Sequence, residues 1–213
     1  MKASRLAVTV LVGISALAWF LLLLSTGLEV PIGFFSPLGK VVTGIILLLA
    51  AFDKWLWRLL PSNLIKRPKV YGTWRVALKF NWIDPTTGAV VDSRNAFLVI
   101  HQTFSAVDAR LLTAESKSHQ LSAQLVPSTD NDEYLLVAVY RNEPKLLIRE
   151  LSPIHFGALV LRIPAAPSRT LTGEYWTDRL TCGELSGRDR DGKRFSTFTD
   201  AEAHWVKKAT PRA

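Results

Sequence analysis

Residues Val70–Trp82 read VYGTWRVALKFNW, and here the periodicity of the chain changes. Helical spacing ends. Short alternating runs rich in Val, Leu, Thr, Phe, Tyr and Trp follow, the pattern of strands that bury one face. Turn signals divide them at Asp84-Pro85-Thr86-Thr87-Gly88, Asp130-Asn131-Asp132, Asn142-Glu143-Pro144 and Asp191-Gly192. After Val70–Trp82, strands are expected near Ala89–Ser93, Ala96–Phe104, Val107–Glu115, Ser118–Pro127, Tyr134–Asn142, His155–Ile163, Leu171–Arg179 and Cys182–Arg190. Lys145–Glu150 reads as a further extended piece, and Asp200–Lys208 as a short closing helix with Thr199 as its cap. About eight strands in one domain fit a closed antiparallel barrel or a sandwich. Closure removes exposed edges and favours the barrel, whose interior at eight strands can hold one small ligand.

Upstream of Val70 the composition is different. Leu6–Leu24 carries no charge, and as a helix it would reach about 28 Å, close to the roughly 30 Å hydrocarbon core. Gly27, Pro31, Gly33, Pro37 and Gly39 then punctuate a turn, before VVTGIILLLAAF resumes at Val41–Phe52. Lys2 and Arg5 ahead of an apolar run also open a secretory signal. The length of the run, the lack of a small-x-small site after Leu24 and the second run favour a transmembrane hairpin. It occupies residues 1–60, with spans at about 6–26 and 38–58, followed by a linker at 61–69 and a β-domain at 70–213. Residues 1–69 hold 8 Lys/Arg against 2 Asp/Glu, whereas 70–213 hold 18 against 16. Six of the eight net positive charges therefore lie in the membrane-like third, which gives little support to a DNA or RNA groove on the folded domain. Lys2 and Arg5 mark the amino terminus, and the far side of the second span carries Lys54, Arg58, Lys66, Arg67 and Lys69, so both termini are expected on the cytoplasmic side.

The chemistry-bearing residues form no catalytic constellation. His101, His119, His155 and His204 lack metal-ligand spacing, and Cys182 is the single cysteine. In Gly183-Glu184-Leu185-Ser186-Gly187 the serine falls one place late for a nucleophile elbow, and no phosphate-binding glycine loop occurs. Neither an enzyme nor a bound cofactor is expected. Polar residues in strand phase say more. Alternation puts Gly173, Tyr175, Thr177 and Arg179 on one face, and Ala138, Tyr140 and Asn142 on another. Gln102 is in step with Leu98 and Ile100, while Thr113, Ser116 and Ser118 surround a turn. Pointing inward, such residues suit a partly polar cavity, with rings for bases, hydroxyls and amides for base edges, and Arg for phosphate. Pointing outward, they form a solvated face; a single strand does not decide between the two.

With two spans ahead of it, the order of motifs resembles the SMODS-associating, two-transmembrane, β-strand-rich effectors of bacterial CBASS anti-phage systems. The resemblance rests on Tyr71-Gly72-Thr73-Trp74, Ile100-His101-Gln102-Thr103-Phe104, Thr113…Ser116…Ser118…Ser122 and Tyr140-Arg141-Asn142-Glu143-Pro144. His155-Phe156-Gly157 and Leu171–Arg179 followed by Gly183 complete it. It implies a receptor-effector of the bacterial inner membrane, whose barrel senses a cyclic dinucleotide made by a partner CD-NTase cyclase. Self-association into a homo-oligomer would then let the spans disrupt membrane lipid and kill the infected cell. The pocket residues it implies are Thr113, Ser116, Tyr140, Asn142, Tyr175, Thr177 and Arg179, with Trp74 closing the barrel base. Ala158 departs from a small hydroxyl residue at its position. Two other readings compete: a tethered lipocalin-like carrier of an apolar ligand, with an aliphatic cavity, and an anchor module that binds a protein partner.

Overall fold

The computed structural model describes residues 13, 16, 17, 20, 21, 32–65, 67–80, 93–128, 133–165 and 169–209. Most of the first expected span and of the Ala89–Ser93 strand lie outside them. Two compact units divide at Leu56/Trp57. In the first, helix α1 (Ile32–Lys54) begins six residues before the expected second span and stops four short of it. It ends at the charged pair Asp53-Lys54, and Trp57 beyond it is fully buried in the second unit. Along α1, Val41, Ile45, Ile46, Leu47, Leu48 and Leu49 are all exposed. Among the described residues no helix is long and apolar enough to cross a membrane.

The second unit is a closed antiparallel barrel in which each strand pairs with its neighbours in sequence and β8 returns to β1. Its strands are β1 (Gly72–Phe80), β2 (Arg94–Gln102), β3 (Val107–Leu112), β4 (Ser116–Pro127), β5 (Glu133–Pro144), β6 (His155–Pro164), β7 (Leu171–Thr177) and β8 (Cys182–Asp191). Period-two alternation sets the interior. Trp74, Val76 and Leu78 of β1 meet Leu98 and Ile100 of β2, Leu136 and Ala138 of β5, and Leu159, Leu161 and Ile163 of β6 in one core. A short helix α2 (Ser62–Ile65) precedes β1, and β2 is buried on both faces because helix α3 (Phe198–Ala209) lays Ala201 and Trp205 against Phe97 and Val99 outside the barrel. That accounts for the unbroken apolar run Ala96–Ile100.

Three expectations change here. Lys145–Glu150 is not extended; Leu146–Ile148 form a single 3-10 turn within the β5–β6 loop. The cap of α3 is Thr197 rather than Thr199: its hydroxyl accepts the Asp200 N–H (3.2 Å) and donates to the Asp200 carboxylate (2.6 Å). Gln102 faces inward as its phase requires, but it sits at the barrel base. Its Oε1 accepts the Val70 N–H (2.8 Å), and its Nε2 donates to the Pro68 carbonyl (2.9 Å). Beside it, Trp74 is wholly buried and donates from Nε1 to the Val70 carbonyl (2.9 Å). Part of the expected linker 61–69 is thereby fastened to the base.

The weakest stretch of the wall lies between β3 and β4, where Leu112↔Lys117 is the sole ladder pair among the described residues. Side chains replace the missing rungs. Ser118 Oγ accepts the Leu111 N–H at 2.7 Å, and Gln120 Oε1 accepts the Ala109 N–H.

Replacing Gln102 with Leu leaves the Val70 N–H and Pro68 carbonyl buried without partners. At about 1–3 kcal/mol for each stranded group, we expect the unfolding midpoint to fall by roughly 10 °C in a calorimetric scan. An unchanged midpoint would mean that the base is not clamped by this amide.

Candidate functional site

The barrel interior changes character along its axis. From the base to mid-height it is filled by aliphatic side chains and Trp74. Toward the end where β1 finishes and β2 begins, a cavity of about 320 Å³ opens. This lies at the low end of the roughly 300–1,000 Å³ usual for ligand pockets. Its floor is apolar, with Leu78, Leu111, Leu159 and Leu185, and its upper wall is polar.

All seven residues singled out from the sequence, Thr113, Ser116, Tyr140, Asn142, Tyr175, Thr177 and Arg179, line this one cavity. Five strands or their turns deliver them. Tyr140 and Asn142 come from β5, Tyr175 and Thr177 from β7, and Thr113 and Ser116 from the β3–β4 turn. Gln102 and Ser118, also in inward phase, are not among its lining: the first clamps the base and the second bridges the β3–β4 wall.

Two glycines make room for the rings. Across the ladder Tyr140 faces Gly157, and Tyr175 faces Gly183. A Cβ on Gly157 would stand 2.5 Å from the Tyr140 ring and hydroxyl, and one on Gly183 would run into the Lys79 backbone carbonyl first and then stand 2.8 Å from the Tyr175 ring and hydroxyl. The sheet-facing side of each ring thus occupies the volume a side chain would need. Phe80 packs edge-on against Tyr175, with centroids 6.3 Å apart at 81°.

The phenols are held neutral. Burial, with the Asp178 carboxylate adding to it, pushes the Tyr140 pKa up to about 12. Tyr175 is raised as well, first by burial and then by Tyr140 and Cys182. Its hydroxyl is buried and has no hydrogen-bond partner. Buried hydroxyls are nearly always paired; this one, beside the cavity, is not.

At the rim the polar groups are organised by their turns. Thr113 and Ser116 hydroxyls lie 2.9 Å apart, and the Ser116 N–H donates to Thr113 Oγ1 (2.8 Å). Thr177 and Thr181 hydroxyls meet at 2.6 Å, and Arg179 Nη1 donates to Ser152 Oγ (3.0 Å), tying the β7–β8 turn to the β5–β6 loop. Arg94 pairs with Glu115 at 2.7 Å, both half exposed. Such an exposed pair is worth little, about 0–1 kcal/mol, so Arg94 can exchange a carboxylate for a phosphate at small cost.

Sequence reasoning missed Phe80, Arg94, Glu115, Ser152, His155 and Thr181. For three of them a signal existed: Arg94 is in phase with Ala96, Leu98 and Ile100, His155 with Gly157 and Leu159, and Phe80 with Leu78. Ser152 and Thr181 sit in turns, where no period assigns a face.

A narrow barrel plugged at one end, with a cup of rings, hydroxyls and guanidinium groups at the other, is a small-molecule receptor fold rather than a packed scaffold. Comparison with known proteins narrows the class. Residues 65–188 match the family described as Cap15, cyclic dinucleotide receptor domain, and the chain belongs to that family. The CD-NTase-associated protein 15 of Staphylococcus schleiferi is 23% identical over 169 residues, spanning 78% of this chain and 87% of that protein. The matched segment runs from the base of the barrel through most of β8 and contains every residue of the seven.

Two outcomes follow. Both phenols have folded-state pKa values above their ordinary one, so their contribution to stability is intact below about pH 10 and is lost as the pH climbs toward 12. The unfolding midpoint should hold to pH 9 and fall between pH 10 and 12, with a shallower fall in Tyr140→Phe. Tyr175→Phe removes the unpaired hydroxyl and should raise stability by about 1 kcal/mol; a loss of stability would show that the hydroxyl is paired in solution.

Proposed function

We propose that this chain is a membrane-anchored CBASS effector that binds a cyclic dinucleotide in the barrel cavity. The observation that carries the reading is the convergence of seven polar residues on one cavity, among them Tyr175 with its unpaired buried hydroxyl, in a member of the cyclic dinucleotide receptor family. Two flat bases suit the Tyr140 and Tyr175 rings. Two phosphodiesters suit Arg179 and Arg94, whose present partners, Ser152 and Glu115, are replaceable. The messenger would be supplied by a CD-NTase, the class of protein that the Staphylococcus relative is named as accompanying. The chain acts as a receptor, not an enzyme.

The effector half of the proposal rests on the first unit. A first span at about 6–26 and a second within α1, ending by Lys54 rather than at 58 because Trp57 and Arg58 belong to the barrel unit, would cross the bacterial inner membrane with both termini in the cytoplasm. Support comes from the uncharged run Leu6–Leu24 and from the apolar, exposed surface of α1 at residues 41–49, which needs lipid or protein around it. Ligand binding would favour a self-associated state, and assembly of the spans would breach the bilayer. A ligand shifts such an equilibrium only through its preference for the assembled form.

The test uses the full chain in detergent micelles against a panel of cyclic di- and trinucleotides. A ligand at 100 times its dissociation constant should stabilise by about 2.7 kcal/mol. Arg179→Ala and Tyr140→Ala should abolish the response, and Tyr175→Phe should weaken it about tenfold, the effect of one lost hydrogen bond. A panel without a single stabilising member would overturn the proposal.

A further inference from the structure

The barrel base, at the opposite end from the nucleotide cavity, gathers cations and donors for which the fold supplies few acceptors. Arg58 lies 4.6 Å over the Tyr71 ring, and Arg190 lies 5.6 Å from the same ring and 5.5 Å from Trp74. Arg58 Nη2 donates to the Gln102 carbonyl (2.8 Å). Lys69 Nζ donates to the carbonyls of Arg58 (2.7 Å) and Leu60 (2.6 Å), and Arg190 Nη1 to that of Lys69. Among the described residues, the partners of these three cations are carbonyl oxygens and ring faces, not carboxylates. Burial works against the charge on Arg190, lowering its pKa, and the Tyr71 phenol offsets only part of this.

Two neighbouring donors have no partner. Trp57 is fully buried and its Nε1 is unpaired, as is the buried Nε of Arg58, whose guanidinium lies 5.9 Å from the Trp57 ring. Native folds rarely leave such groups stranded. What both lack is an oxygen acceptor, and what the three cations lack is a negative charge. One phosphate supplies both.

Sequence position says which phosphate. Trp57 follows the last residue of α1, Lys54, by three residues, and Lys66 and Arg67 lie in the same stretch. Cations immediately cytoplasmic of a span meet the phosphates of anionic phospholipids. We propose that Arg58, Lys69 and Arg190 bind the phosphate of an anionic phospholipid and seat the barrel base on the bilayer surface, with the buried Trp57 indole N–H behind Arg58 as a second donor that a small side-chain shift would open to it. The site rests on the membrane reading above and is independent of the nucleotide cavity.

The experiment is native mass spectrometry of the full chain, released from micelles holding equal amounts of phosphatidylglycerol and phosphatidylcholine. The wild-type chain should retain phosphatidylglycerol preferentially. Each cation near an anionic surface is worth roughly fivefold, so Arg190→Gln should cut the preference about fivefold and Arg58→Gln with Arg190→Gln about twentyfold. Arg141→Gln with Arg162→Gln, on the exposed outer wall, should leave it unchanged. Equal retention of the two lipids, or a preference that survives the Arg58/Arg190 change, would overturn the site. Inorganic phosphate that displaces the lipid at matched concentration would assign the site to a free anion and overturn the lipid claim. Cyclic-dinucleotide stabilisation in the same micelles separates the failures. A chain that responds to nucleotide but shows no lipid preference loses this site alone. A chain that stays dispersed without detergent loses the membrane reading beneath it.

Discussion

Tyr140 and Tyr175 can stand inside an eight-stranded ring only because Gly157 and Gly183 face them across the ladder. An interior of that width is ordinarily filled by its own side chains, and the lower half of this barrel obeys the rule. In the upper half, two missing Cβ atoms let two large rings lie back toward the wall. The space they vacate becomes a cavity, and the hydroxyls, amide and guanidinium groups of the surrounding turns close around it. Without those glycines the rings would swing inward and the cup would fill.

The same division assigns different work to the two ends. Inside the base, Gln102 ties Val70 and Pro68 to β2, and Trp74 closes the core above them. Its rigidity allows the open end to carry an unpaired phenol and replaceable rim contacts without loss of the fold. The cost of an orphan hydroxyl is tolerable when a ligand later satisfies it. Function and stability then pull in opposite directions at Tyr175, a trade common at binding sites.

Much of this was legible before any coordinates. Period-two alternation tells which residues of Leu171–Thr177 share a face, although the expected strand stops two residues early and leaves Arg179 in the β7–β8 turn; the resemblance of motifs names seven positions, all of which line the cavity. What alternation cannot convey is height along the barrel axis. Gln102 is in phase with Leu98 and Ile100 yet lies at the wrong end to touch a ligand there, because two residues along a tilted strand separate core from base. Turns carry no period at all, which hid Ser152 and Thr181 and made Leu146–Ile148 look extended. At the α3 terminus two threonines competed for the cap, and the choice fell to Thr197 because Asp200 stands three residues beyond it. Gly33, Pro37 and Gly39 read as a turn, but helix α1 runs through all three.

The central claim is that the glycine-seated tyrosine rings hold open a space for a cyclic dinucleotide. Equilibrium binding of radiolabelled cyclic dinucleotides to the full chain and to Gly157→Ala tests it, since the added methyl meets the Tyr140 ring and hydroxyl at 2.5 Å and the Trp176 carbonyl at 2.9 Å and so drives the ring toward the cavity. The wild-type chain should bind saturably, and a Gly157→Ala chain that still unfolds cooperatively should not; undiminished binding by that variant would mean that the rings do not hold the space open.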